Sequence, residues 1–116
     1  MCGINGIFAY HYAANPVDRA EILRTRDHMR SRGPDGSGLW IPEDARIGFG
    51  HRRLSIIDLT GSGAQPMSSA DGRFVVTFNG EIYNHCELRR ALVARGRVFR
   101  STSDTEVLLH LYAEKG

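Results

Sequence analysis

The sequence predicts an α/β layered domain, and three observations carry that expectation. Apolar runs at 4–10 and 74–78 have hydrophobic residues on both alternation faces, as strands covered on both sides do. Segments with helical spacing come after capping signals at Asn15, Asn84 and Ser103. Glycine-rich and proline-rich stretches separate these runs, and no repeat or change of composition divides the 116 residues.

The elements run in order. Ile4, Phe8 and Tyr10 alternate with Ile7 and Ala9, so the first run reads as a strand buried on both faces. Asn15-Pro16 supplies a cap and a first-turn proline for a helix over 17–31, with Ile22, Leu23 and Met29 on one face. The segment 32–38 holds three glycines and a proline and is expected to be loop. Short strands are expected at 39–41 and 47–55, then a Gly/Ser-rich connection at 61–64 and Gln65-Pro66-Met67. The run 74–78 is β-branched and aromatic throughout and reads as the clearest strand. Asn84 with Glu87 resembles a capping box opening a helix to about residue 95, which Gly96 stops. Ser103 with Glu106 repeats the signature before a stripe of Val107, Leu108, Leu111 and Tyr112. A short strand near Val98-Phe99 completes the expected set.

Composition narrows the function classes. Net charge is +2, and fourteen of the fifteen basic residues are Arg, scattered among acids with no run longer than two. A nucleic-acid binder gathers such charge on one face, so nucleic acid is not an expected partner. No stretch is long and apolar enough for a bilayer and no secretion signal opens the chain, so no membrane partner is expected and the cytoplasm is the expected compartment. Two cysteines are too few for a disulfide framework, and the five His with Cys2 and Cys86 show no paired ligand spacing. No metal is expected.

Five residues carry chemistry. Loss of Met1 would give Cys2 a free α-amine, a group that titrates at about 7.7–8.0 and can take the proton of its own thiol. One residue then supplies nucleophile and base; the alternative is a small, inert buried cysteine. Asn79-Gly80 suits a hairpin turn, yet a helix signal comes next in place of a partner strand. A side-chain amide beside a backbone N–H is also the donor pair of an oxyanion hole. Arg53 is either a solvated edge-strand charge or a guanidinium fork for a carboxylate. Asp104 is a helix cap or the holder of an α-ammonium.

Six blocks, in order, resemble one family: Met-Cys-Gly-Ile-Asn-Gly-Ile-Phe at 1–8, Arg-Gly-Pro-Asp-Gly at 32–36, Gly-His-Arg-Arg-Leu-Ser-Ile-Ile-Asp-Leu at 50–59, Gln-Pro-Met at 65–67, Phe-Asn-Gly-Glu-Ile-Tyr-Asn at 78–84 and Thr-Ser-Asp-Thr-Glu-Val-Leu-Leu at 102–109. Together they are similar to class II (N-terminal-nucleophile) glutamine amidotransferase domains, and most to those of the asparagine-synthetase type. The resemblance implies an αββα sandwich, incomplete in this chain, with residues 1–116 as the N-terminal part of the glutaminase domain and the synthetase domain absent. It implies that glutamine is hydrolysed to glutamate and ammonia through a γ-glutamyl thioester on Cys2, with Asn79 and Gly80 as oxyanion donors. Arg53, Leu54, Ser55, Ile56 and Ile57 would hold the carboxylate side, and Glu81 and Asp104 the α-amino group. No cofactor is implied here; ATP and magnesium belong to a synthetase domain or subunit, the implied partner, and aspartate is the implied acceptor. Two other readings stand beside it: a catalytically silent binding module on the same sheet, and a different amide hydrolase sharing the Cys2 chemistry.

Overall fold

The computed structural model describes residues 1–56 and 59–116. Its first sheet runs in the order β1 (Gly3–Phe8), β3 (Ile47–Arg53), β2 (Gly36–Trp40). β3 is antiparallel to both neighbours, with Gly3 opposite Arg52 and Phe8 opposite Ile47 on one side, and Trp40 opposite Phe49 on the other. β3 thus stops two residues short of the expected end. β2 starts within the stretch expected to be loop, because glycines there allow a close backbone approach that side chains would block.

Helix α1 (Arg19–Asp27) lies on one face of this sheet. Its Ile22 is fully buried and joins Ala9 and Val17 in a core that Ile7, Ala14, Leu39 and Ile41 flank. A Cβ on Gly48 would stand 2.2 Å from the Ile22 methyl, so the bare strand position is what lets the helix seat. The expected start at Asn15-Pro16 is corrected. The Val17 N–H bonds to the Ala45 carbonyl at 2.7 Å, tying that segment to the turn before β3, and the Asp18 carboxylate caps Ala20 N at 3.0 Å instead. The helix also ends before residue 31: the N–H groups of Met29, Arg30 and Arg32 reach back only three residues, in tight turns.

A second, two-stranded sheet pairs β4 (Met67–Ser68) with β5 (Val75–Val76), and Met67 faces Val76. The expected strand at 74–78 is therefore cut to two paired residues. Continuing the register puts Gln65 opposite Phe78, but the Gln65 carbonyl lies against Gly38 of β2, and the Phe78 N–H bonds the Gln65 side chain instead. α2 (His85–Ala94) and α3 (Asp104–Lys115) pack on each other, and α3 covers the second sheet. No strand forms at Val98-Phe99; the Phe99 ring instead lies 4.3 Å from His110 and 4.2 Å from the Arg89 guanidinium.

Trp40, Ile47 and Phe49 of the first sheet and Phe74, Val75, Val76, Leu108 and Tyr112 of the second unit line a cavity of about 540 Å³. Helix, sheet, sheet and helix give an α/β sandwich that is incomplete, with three and two strands among the described residues. One expectation falls with it: β1 is covered on one face only, leaving Phe8 64% exposed.

Candidate active site

A cleft of about 350 Å³ forms where the end of β3, the residues after β5 and the start of α3 meet the residues before β1. Each site residue is set by its element. Cys2 precedes β1 by one residue, and the β1–β3 register extended by one pair places it opposite Arg53. Its sulfur accepts from Leu54 N–H at 3.3 Å and donates as a thiol to the Leu54 carbonyl at 3.6 Å. The thiol is half-buried and free, and the exposed Cys86 is free as well.

Strand alternation separates the two adjacent arginines. Arg52 turns away from the cleft, buried, with Nε donating to Gly33 O at 3.0 Å and Nη1 3.7 Å from the Asp27 carboxylate. Arg53 lines the cleft, and its Nη1 donates to Thr60 O at 2.5 Å. Leu54 and Ile56 line the cleft too. Ser55 does not, and its N–H is spent on the Asp35 carboxylate at 2.8 Å. Ile57 lies outside the described residues.

Asn79, Gly80 and Glu81 form one wall, separated from the end of β5 by two residues. This stretch makes no hairpin, and it is fixed at both flanks. Phe78 N–H donates to Gln65 Oε1 at 2.6 Å, and Ile82 N–H donates to Asp104 Oδ2 at 2.8 Å. Asp104 is the first residue of α3 and only 6% exposed, so its carboxylate sits at the helix N-terminus facing the same cleft.

The sequence did not single out Gln65, Thr105 or His51 as site residues. Gln65 and Thr105 line the cleft and bond to each other, Gln65 Nε2 donating to Thr105 Oγ1 at 3.1 Å. His51 shares a strand face with Arg53 and is fully buried. Burial holds the His51 imidazole below its ordinary value of 6.5, the Arg53 charge adds to this, and the neighbouring Phe78 backbone opposes it. Among the described residues neither ring nitrogen makes a hydrogen bond of good geometry.

Glu106 braces the approach to α3. Its carboxylate accepts from Arg100 N and Ser101 N at 2.8 Å each and from the Ser101 hydroxyl, and His110 Nε2 lies 3.6 Å away. Burial pulls the carboxyl up, but the Ser101 hydroxyl, these two backbone N–H groups and the His110 ring outweigh it and hold the value below the ordinary 4.5.

No helix among the described residues is long and apolar enough to cross a membrane. The family profile described as the glutamine amidotransferase domain matches residues 1–116. The chain is 47% identical over 113 residues to asparagine synthetase [glutamine-hydrolyzing] 1 of Bacillus subtilis (strain 168), covering 97% of this chain and 17% of that protein. It is 44% identical over 116 residues to the asparagine synthetase [glutamine-hydrolyzing] of Zea mays, covering all of this chain and 19% of that one. It is 42% identical over 118 residues to a probable asparagine synthetase [glutamine-hydrolyzing] of Schizosaccharomyces pombe, again across the whole chain and 20% of the relative. The chain thus spans about a fifth of the length of these relatives. The cysteine at position 2, the cleft built around it and the full-length profile match agree: the chain belongs to the glutamine amidotransferase domain family, of the type found in glutamine-hydrolysing asparagine synthetases.

Proposed function

We propose that this chain is the N-terminal part of a glutaminase domain in which mature Cys2 hydrolyses glutamine to glutamate and ammonia. The observation that supports this reading best is the convergence of Cys2, Arg53, Asn79, Gly80, Glu81 and Asp104 on one cleft of about 350 Å³, at the small end of ligand pockets. Met1 lines the same cleft, so its removal both frees the Cys2 amine and opens space beside the sulfur.

Substrate binding comes first. Arg53 grips the α-carboxylate of glutamine, while Asp104 and Glu81 hold the α-ammonium. Leu54 and Ile56, which line the cleft, stand on the carboxylate side. Cys2 Sγ attacks the side-chain carbonyl carbon as its proton passes to the Cys2 α-amine. Asn79 Nδ2 and Gly80 N–H donate to the oxyanion that forms. The protonated amine returns the proton to the leaving nitrogen, so ammonia departs and a γ-glutamyl thioester remains. Water then attacks the thioester, its proton goes to the amine, and glutamate leaves with the thiol restored.

Ammonia passes to a synthetase domain or subunit, where ATP and magnesium would act and aspartate would be the acceptor. The free thiols suit a reducing cytoplasm.

In the complete gene product, Cys2→Ala should lower glutamate release by at least about 10³-fold while glutamine still binds. Retained glutamate release in that variant would refute the reading. Labelling by a diazoketone analogue of glutamine should modify Cys2 far faster than Cys86; equal rates would mark a silent binding module.

A further inference from the structure

We infer that Gln65, seated on Thr105, is a positioning residue for the oxyanion donors Asn79 and Gly80. The inference rests on the glutaminase reading above and deepens it. The three residues 79–81 have no ladder of their own, since β5 ends at Val76. Two bonds from outside the strand fix them. On the far side, Asp104 takes the Ile82 N–H; on the near side, Gln65 Oε1 takes the Phe78 N–H at 2.6 Å.

The near-side tie is a substitute for a sheet. The β4–β5 register, extended by two residues, places Gln65 opposite Phe78, where a backbone carbonyl would ordinarily accept. The Gln65 carbonyl is turned against β2, and the Gln65 side chain supplies the acceptor in its place. Gln65 is held in turn. It is 9% exposed, and its amide donates to Thr105 Oγ1, on a residue 2% exposed in the first turn of α3. A Cβ on Gly38 would stand 1.7 Å from Gln65 O, so the segment lies directly against β2.

Both ties therefore end on adjacent residues of one helix, Asp104 and Thr105. The helix that presents the carboxylate for the substrate ammonium also sets where the oxyanion donors stand. Gln65 spends its amide on Phe78 N–H and Thr105 Oγ1, and so acts through the backbone of Phe78, one residue before Asn79.

A donor that stabilises charge only in the transition state affects turnover and not ground-state affinity, so kcat and KM should separate. Gln65→Met keeps length and removes both hydrogen bonds. In the complete gene product it should lower kcat for glutamine hydrolysis by about tenfold or more, with KM changed by less than about threefold. Thr105→Val, close to isosteric, should lower kcat by about threefold with the same unchanged KM, and it decides the matter if Gln65→Met does not fold. A kcat within about twofold of wild type in both variants would overturn the inference, as would a change confined to KM. Cys2→Ala is the companion control. Wild-type hydrolysis abolished by Cys2→Ala leaves the glutaminase reading standing whatever Gln65 does, whereas no hydrolysis in the wild type sinks both.

Discussion

The two sheets of this domain are held by different means. In the first, β3 is laddered on both sides and roofed by α1, so backbone pairing alone fixes its register. In the second, the ladder is two pairs long, and side chains take over where it fails: Gln65 for Phe78, Asp104 for Ile82, Glu106 for Arg100 and Ser101. Catalytic candidates sit at the junction, one group at the end of the ladder and the other in the side-chain-held segment. A regular sheet sets strands but leaves little room for a cleft. A side-chain-held loop can turn its amides toward a ligand and still be rigid, provided each anchor is buried and paired.

The largest way to break this contrast is to attack the laddered half. Ile22 is the fully buried contact between α1 and the first sheet, lying over Gly48. Ile22→Ala should cost about 2–5 kcal/mol, since the backbone of a paired sheet cannot collapse into the void. Urea unfolding of the chain measures it. A loss under about 1 kcal/mol would show that α1 is not what secures the first sheet.

Glu106 probes the side-chain-held half. Its carboxylate serves one buried and one part-buried backbone N–H group and one hydroxyl, so Glu106→Gln should cost about 1–3 kcal/mol at neutral pH. The pH dependence has a definite sign. The folded carboxyl is held below 4.5, so the ionised form is favoured on folding; that contribution is complete above the unfolded value and is lost as pH falls through the lowered one. His51 acts in a higher window. Its folded value is below 6.5, so the unfolded state takes up a proton first and stability already declines as pH drops below 6.5. Stability measured from pH 7 to pH 3 should show both losses in the wild type, and the part below pH 4.5 should shrink in Glu106→Gln. An unchanged acid limb would mean that Glu106 does not hold this half together.

Legibility in the sequence divides along the same line. Cys2, Arg53, Asn79, Gly80 and Asp104 could be picked out because each carries its chemistry within a few residues of itself, and they share one cleft. The α/β order was readable too. What could not be read depends on pairs far apart in the chain. Whether 74–78 forms a full strand is decided by where Gln65, across the sheet, aims its carbonyl, and the start of α1 by Val17 bonding to Ala45. Gln65 acquires a role only once the register sets it opposite Phe78. Burial of both faces of β1 was an expectation about neighbours, and a strand's own residues do not state who covers them.

The smallest effects offer the sharpest comparison, because the sequence carries two similar helix starts that the structure treats differently. Ser103 Oγ accepts from Thr105 N at 3.2 Å, a working cap on α3, although Glu106 does not complete a capping box and turns to Ser101 instead. Asn84, at the start of α2, makes no side-chain cap bond; with φ −95° and ψ 25° its backbone is not in the extended conformation from which a cap side chain reaches back. Ser103→Ala should therefore cost about 1 kcal/mol, and Asn84→Ala less than about 0.5 kcal/mol. Parallel urea titrations of the two variants measure the difference. Ser103 also adjoins Asp104, so its loss should loosen the α3 terminus that anchors the Ile82 tie, and amide exchange at Ile82 should quicken in Ser103→Ala and not in Asn84→Ala. Equal costs and equal exchange would mean that the start of α3 is no better secured than that of α2, and the contrast between a held and an unheld helix end would not survive.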